Sequence, residues 1–143
     1  MQHTIRAAMK GHLGARGLAN VAYGAAGVWK SVGVGKSVGF TSSLCELFAA
    51  IAKEAKQRLD QFNGQEFANV AWAFATVGQK DDQLFKALAR MAERRLDQFN
   101  GQGLANTAWA FAVVNFYSDL LFGPALKQRF YRSCCHMQDS FNI

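Results

Sequence analysis

Asparagine recurs at three related places in the chain, each time inside an otherwise apolar segment. The three residues are Asn20, Asn69 and Asn106. Asparagine is a poor residue for a helix interior, so a repeated one needs a role. Its amide could join a ladder of hydrogen bonds between neighbouring segments, or it could contact a nucleic-acid base. We favour the ladder.

Aromatic residues follow two of these asparagines at a spacing of three, as Trp72 and Trp109, and Tyr23 holds the same place after Asn20. Indole rings can stack on unpaired bases, which stabilises single-strand complexes by roughly 1–3 kcal/mol per base. The surrounding segment is apolar nearly all round. Burial of these rings in a core is therefore the favoured interpretation.

Lys86, Arg90 and Arg94 form a cationic stripe, because a spacing of four places them on one side of a helix. Such a stripe could follow a phosphate backbone. Glu93 and Asp97 lie among these cations. A solvated face with local ion pairs is therefore the alternative, and both interpretations stay open.

Other chemistries find little support in the sequence. Gly33–Ser37 (GVGKS) resembles a phosphate-binding loop, but Lys30 stands where that motif needs its first glycine, so a flexible basic insertion is favoured. Cys134, Cys135 and His136 are adjacent, whereas zinc ligands are usually separated by two to four residues. The histidines are scattered. We therefore expect a protein that is not an enzyme and has no cofactor or metal.

The composition favours a basic, reducing-compartment protein that does not enter a membrane. The 143 residues carry a net charge of +6, which allows nucleic acid, acidic proteins or anionic membranes as partners. The longest apolar runs are too short to span a bilayer. Three cysteines, two of them adjacent, indicate free thiols.

No acidic residue precedes Glu46. Such a stretch is typical of organellar transit peptides, although a degraded repeat copy occupies the same residues.

An internal repeat organises the chain. Arg58–Ala75 and Arg95–Ala112 are identical at fifteen of eighteen positions, at an offset of 37 residues. An older copy begins at Gly17–Ala26 (GLANVAYGAA). Asn20 and Leu47 in this copy are twelve residues farther apart than Asn69 and Leu84 in the next copy. The difference indicates an insertion within Gly27–Ser43. Periods of this length are typical of helical arrays.

Each unit is predicted to contain two helices. The first begins after Asn63, with Glu66 completing a capping box, and ends near Gly78. Phe62 and Phe67 occupy the positions of a hydrophobic staple. The second begins near Asp81-Asp82, and its apolar stripe follows a helical period. The stripe consists of Leu84, Leu88, Met91, Ala92, Leu96 and Phe99.

An all-apolar first helix must be buried between neighbouring units, so the units should stack. We therefore predict an all-α fold, an α-solenoid of about three two-helix repeats in a right-handed superhelical stack. The predicted boundaries are a degenerate first repeat with the 12-residue insertion at 1–57, a second repeat at 58–94, a partly degenerate third at 95–132 and a tail at 133–143. The ends of this stack lack polar caps, so self-association through them is a further expectation.

The segments Leu104–Ala112 (LANTAWAFA) and Phe67–Ala75 (FANVAWAFA), each just after FNGQ, resemble the octatricopeptide and heptatricopeptide repeats of organellar RNA-binding proteins. The repeats of FAST-kinase-like RNA regulators are related. The resemblance implies an α-solenoid that binds single-stranded RNA in a chloroplast or mitochondrion and acts in RNA stability, processing or translation. Without the resemblance, the cytoplasm is the default location.

Helical-repeat proteins can read about one base per unit, with side chains that differ between units. The first helix differs between the copies at Glu66/Gly103, Phe67/Leu104 and Val70/Thr107. Phe67 and Leu104 occupy staple positions, so the predicted reading face consists of Glu66, Val70 and Ala73 in one copy and Gly103, Thr107 and Ala110 in the next, which lie at i, i+4 and i+7. The alternative is that this face packs against the next unit. The candidate RNA-binding residues are therefore Asn69, Val70, Ala73, Asn106, Thr107, Ala110, Lys86, Arg90 and Arg94. A protein-interaction solenoid, or a fragment of a longer array, is the competing hypothesis.

Overall fold

The computed structural model describes residues 2–32 and 38–114, and every regular element in this part of the chain is helical. The predicted all-α class is confirmed. The second helix of the third repeat and the tail lie outside the described residues. The elements are α1 (Gln2–Met9), α2 (Ala15–Val32), α3 (Val38–Gln57), α4 (Gly64–Thr76), α5 (Asp82–Arg94) and α6 (Gly101–Val113), with 3-10 turns at Leu59–Gln61 and Leu96–Gln98.

The helices lie in two rows. In the first row α4 packs between α2 and α6, and in the second row α3 contacts both α1 and α5. Edge-to-face aromatic pairs join the rows. Phe48 contacts Phe74 at a centroid distance of 4.9 Å, and Phe85 contacts Phe111 at 5.1 Å. The two pairs are 37 residues apart in sequence, so the packing of α3 on α4 is repeated by α5 on α6.

The predicted capping of α4 is confirmed at both ends. The Asn63 side chain accepts a hydrogen bond from the Glu66 amide at 2.8 Å, and the Glu66 carboxylate accepts one from the Asn63 amide at 3.0 Å. At the other end, Gly78 adopts a φ of 72°, which glycine tolerates without steric cost. The amides of Gly78 and Gln79 donate to the carbonyls of Ala75 and Phe74, which is the Schellman pattern.

Removal of the α4 cap gives a measurable loss of stability. We expect Asn63→Ala to lower the free energy of unfolding by about 1 kcal/mol, because the Glu66 amide loses its partner. Gln83→Ala, at an exposed helical position outside any cap, is the control. Urea unfolding followed by circular dichroism measures the difference. Equal midpoints for the two variants would show that the capping box contributes nothing.

The second helix is shorter than predicted. It ends at Arg94, so Leu96 lies in a 3-10 turn and Phe99 follows it. The reason is Arg95, whose backbone leaves helical geometry and whose guanidinium donates to the carbonyls of Phe62 at 2.8 Å and Asp60 at 2.9 Å. Arg58 donates in the same way to the carbonyls of Leu13 and Gly11. Each arginine is the first residue of a predicted repeat, and it thus ties the start of that repeat to the turn before the preceding first-row helix.

The flexible insertion predicted at Gly33–Ser37 lies outside the described residues, whereas the residues on either side of it are helical. Residues 27–32 belong to α2 and residues 38–43 to α3. α2 is five residues longer than α4, and α3 is seven residues longer than α5, which together account for the twelve inserted residues. The additional length therefore lies in these two helices. Trp29 and Leu44 pack into or against the core and hold these extensions in place.

Candidate nucleic-acid interface

The outward side of the first row carries an amide and an aromatic residue on each helix, three positions apart. The pairs are Asn20 and Tyr23 on α2, Asn69 and Trp72 on α4, and Asn106 and Trp109 on α6. Residues three apart lie on the same side of a helix. Because α2, α4 and α6 are neighbours, the three pairs form one continuous strip. We call this strip, together with Gln65 and Gln102, the amide–aromatic surface.

The aromatic rings of this surface are not buried as expected. Tyr23 is 48% exposed and Trp109 is 46% exposed, whereas Trp72 is half-buried. The Tyr23 and Trp72 rings lie 4.8 Å apart, which accounts for part of the cover over Trp72. The core interpretation is therefore wrong for Trp109 and Tyr23. Each has an accessible ring on which a base could stack.

The expected asparagine ladder is also wrong. Within the described residues, no hydrogen bond engages the side chains of Asn69 and Asn106, nor those of Gln65 and Gln102. Instead these four amides converge on a cavity of about 230 Å³ between α4 and α6. Tyr23 and Asn100 complete its polar lining. Carboxamides offer both donors and acceptors, so this lining can hydrogen-bond to the edge of a base.

Four predicted reading residues lie in the core. Val70, Ala73, Thr107 and Ala110 are each at most 3% exposed, so direct contact of their side chains with RNA is excluded. Thr107 donates its hydroxyl proton to the Gly103 carbonyl at 2.8 Å. These four side chains lie in the core, as the packing alternative expects for them.

The cationic stripe is separated from the amide–aromatic surface. Lys86, Arg90 and Arg94 are exposed, as predicted, but they lie on α5 in the second row. On the first-row helices, α4 and α6 contain no lysine or arginine, while α2 has Arg16 and Lys30. The structure thus brings Asn69 and Asn106 together without the predicted cations, and the surface offers stacking and neutral hydrogen bonds.

Sequence reasoning missed Gln65, Gln102 and the exposure of Tyr23. A signal for the glutamines was present, because each occupies the second residue of its helix and stands four positions before the repeated asparagine. A spacing of four places them on the same side of the helix as that asparagine. Because both copies have glutamine at this position, the repeat indicates that the glutamines and the asparagines share one surface.

The described residues contain neither a membrane-spanning helix nor a cluster of metal-ligating side chains. None of the helices in this part is both long enough and apolar enough to cross a membrane. No group of three His, Cys, Asp or Glu side chains within it is placed to hold a metal ion. Cys134, Cys135 and His136 lie outside the described residues.

A family comparison agrees with an RNA-related role. The family model described as RNA-editing substrate-binding complex 6 protein matches residues 38–142, which is 105 of the 143 residues. No curated protein matches the chain. The match covers α3 to α6 and therefore includes most of the amide–aromatic surface. On this evidence, the chain belongs to the RNA-editing substrate-binding complex 6 protein family.

Proposed function

We propose that the chain binds single-stranded RNA along the amide–aromatic surface and acts as a non-catalytic module of an RNA-editing substrate-binding complex. The observation that carries the proposal is the strip of accessible rings and unengaged amides on three adjacent helices. Aromatic rings stack on unpaired bases, and amides hydrogen-bond to the base edges that single strands expose.

The architecture suits an extended ligand. We propose that the recurring contacts of Phe48 with Phe74 and of Phe85 with Phe111 reflect an α-solenoid of about three units in a right-handed stack. In such a stack the first-row helices present equivalent residues side by side. The resemblance to heptatricopeptide and octatricopeptide repeats supports this arrangement. With it comes the proposal of a chloroplast or mitochondrial location, which imaging of a fluorescently tagged full chain would test.

Protein partners form a second part of the proposal. The family is named for a complex, and a complex requires contacts between its members. The exposed cations of α5 lie away from the amide–aromatic surface and would remain accessible when RNA is bound. We therefore propose that the chain binds RNA on its first row while the second row is free to contact proteins.

Binding of a fluorescein-labelled single-stranded RNA pool, measured by anisotropy with excess single-stranded DNA as competitor, tests the main proposal. We expect saturable binding that survives the competitor, since RNA differs from DNA at its 2′-hydroxyls. We also expect a shallow dependence on salt. If only Arg16 and Lys30 reach phosphates, the slope of log K against log salt is about −1.4. No binding by a chain shown to be helical would overturn the proposal.

Neutralising the α5 stripe separates this proposal from binding through phosphates. We expect the triple variant Lys86→Gln, Arg90→Gln, Arg94→Gln to bind the RNA pool within about twofold of the unaltered chain, because these cations lie on the other row. If these three cations contacted phosphates, the variant's slope of log K against log salt would be shallower by about 2, and its affinity would drop steeply. Arg16→Gln with Lys30→Gln is the matched variant, and we expect it to weaken binding and flatten the slope.

A further inference from the structure

The cavity between α4 and α6 differs from the rest of the surface, because its polar lining consists almost entirely of carboxamides. We infer that this cavity receives one unpaired adenine of a bound RNA and reads its hydrogen-bonding edge. The inference rests on the proposed RNA-binding function and specifies its ligand. The polar side chains around the cavity are Gln65, Asn69, Asn100, Gln102 and Asn106, with Tyr23 at one side.

The cavity suits a neutral group rather than a phosphate. None of the lining side chains carries a charge, and no lysine or arginine lies on either helix that forms it. A phosphate would lose its hydration and gain no counter-charge there. A base edge presents neutral donors and acceptors, which carboxamides can match.

The lining amides are available for a ligand. Asn100 uses its side-chain oxygen to cap α6, accepting from the Gly103 amide at 2.7 Å. The side chains of Gln65, Asn69, Gln102 and Asn106 form no hydrogen bond within the described residues. Four unengaged carboxamides around one cavity of about 230 Å³ can contact a base from several directions.

The chemistry of the lining selects among the bases. Guanine is read best by arginine or lysine and cytosine by aspartate or glutamate, and the cavity has none of these. Asparagine and glutamine pair with adenine through two hydrogen bonds, donating to one ring nitrogen and accepting from the amino group. Among adenine, guanine and cytosine, adenine is therefore the base that this lining matches best.

Gly103 keeps the cavity open. In the preceding unit Glu66 holds the equivalent position, and its side chain folds back onto the Asn63 amide. Gly103 has no side chain, and it lines the cavity instead. A Cβ there would lie 3.1 Å from the Asn100 side-chain oxygen and 3.8 Å from Ala68. A glutamate at position 103 would therefore occupy the space beside Asn100 and complete the capping box.

The test measures base preference by anisotropy with fluorescein-labelled RNA octamers of uridine that carry a single central adenine, guanine or cytosine. We expect the unaltered chain to bind the adenine octamer at least fivefold more tightly than the others, since one bidentate pair discriminates by a factor of this order. Gln102→Ala, Asn106→Ala and Gly103→Glu should each reduce that preference to twofold or less. Affinity for the all-uridine octamer should change less than twofold.

Controls separate this inference from the proposed function. Gln98→Ala, an exposed glutamine outside the cavity, should keep the adenine preference. A cooperative thermal transition of Gly103→Glu, followed by circular dichroism, checks that this variant is folded. RNA binding without base preference, or a preference that survives all three cavity variants, would overturn the adenine site and leave the RNA-binding proposal standing. Absence of RNA binding by the helical chain would overturn both.

Discussion

Trp109→Ala is expected to weaken binding of single-stranded RNA by roughly 5- to 160-fold. A base stacked on an aromatic ring contributes about 1–3 kcal/mol, and each 1.4 kcal/mol corresponds to a factor of ten in affinity. Trp109 is 46% exposed, so its loss should cost little stability. Anisotropy titration with a labelled RNA measures the affinity, and circular dichroism checks that the helix content is unchanged.

Two companion variants make the Trp109 result specific. Trp109→Phe should retain most of the affinity, because phenylalanine still offers a ring for stacking. Met9→Ala removes another exposed apolar side chain, at 65% exposure, from α1 in the second row and should have no effect. If folded Trp109→Ala bound RNA within twofold of the unaltered chain, stacking on this ring would not contribute to binding.

The caps of α4 and the start of α5 were predictable because they depend on neighbouring residues in the sequence. The capping box at Asn63 and Glu66 requires only a three-residue spacing, and the Schellman end at Gly78 requires only a residue that tolerates positive φ. The start of α5 follows from Asp81, whose carboxylate accepts from the Leu84 amide at 2.9 Å. These contacts form within one helical turn, so tertiary packing does not change them.

The orientation of the first-row helices was not predictable in the same way. A helix that is apolar nearly all round has no single stripe that identifies its buried side. Trp109 was therefore expected in the core and Val70 and Thr107 on the surface, whereas the structure has the opposite arrangement. The small size of Ala73 and Ala110 allows close approach of adjacent helices, which leaves the large indole on the open side.

The lengths of α2 and α3 and the end of α5 could not be predicted from local patterns, because they depend on tertiary contacts. Glycine and serine lower helix propensity, but the extended parts of α2 and α3 carry Trp29 and Leu44 against the core. Packing therefore overrides propensity there. At Arg95 the apolar stripe continues along the sequence, yet hydrogen bonds to the carbonyls of Asp60 and Phe62 hold the chain in a non-helical turn. Neither contact is visible in a local pattern.

The largest loss of stability is expected from Phe85→Ala. Phe85 is fully buried, and its ring packs edge-to-face on Phe111 with a centroid distance of 5.1 Å. Truncating a buried phenylalanine to alanine costs about 3–5 kcal/mol, because the transfer energy is lost and a cavity remains. Small domains are stable by roughly 5–15 kcal/mol in total, so the variant should be close to unfolding at 37 °C. Urea denaturation followed by circular dichroism measures the change.

Phe48→Ala is the matched variant, because Phe48 makes the equivalent contact with Phe74 one repeat earlier. If the units pack equivalently, the two variants should lose similar stability, within about 1 kcal/mol of each other. Phe85→Leu should cost less than Phe85→Ala, since it leaves a smaller cavity. A loss below 1 kcal/mol for Phe85→Ala would show that α5 and α6 are not held by this pair. The first-row helices would then have to maintain their packing without support from the second row. The amide–aromatic surface would depend on contacts within the first row alone.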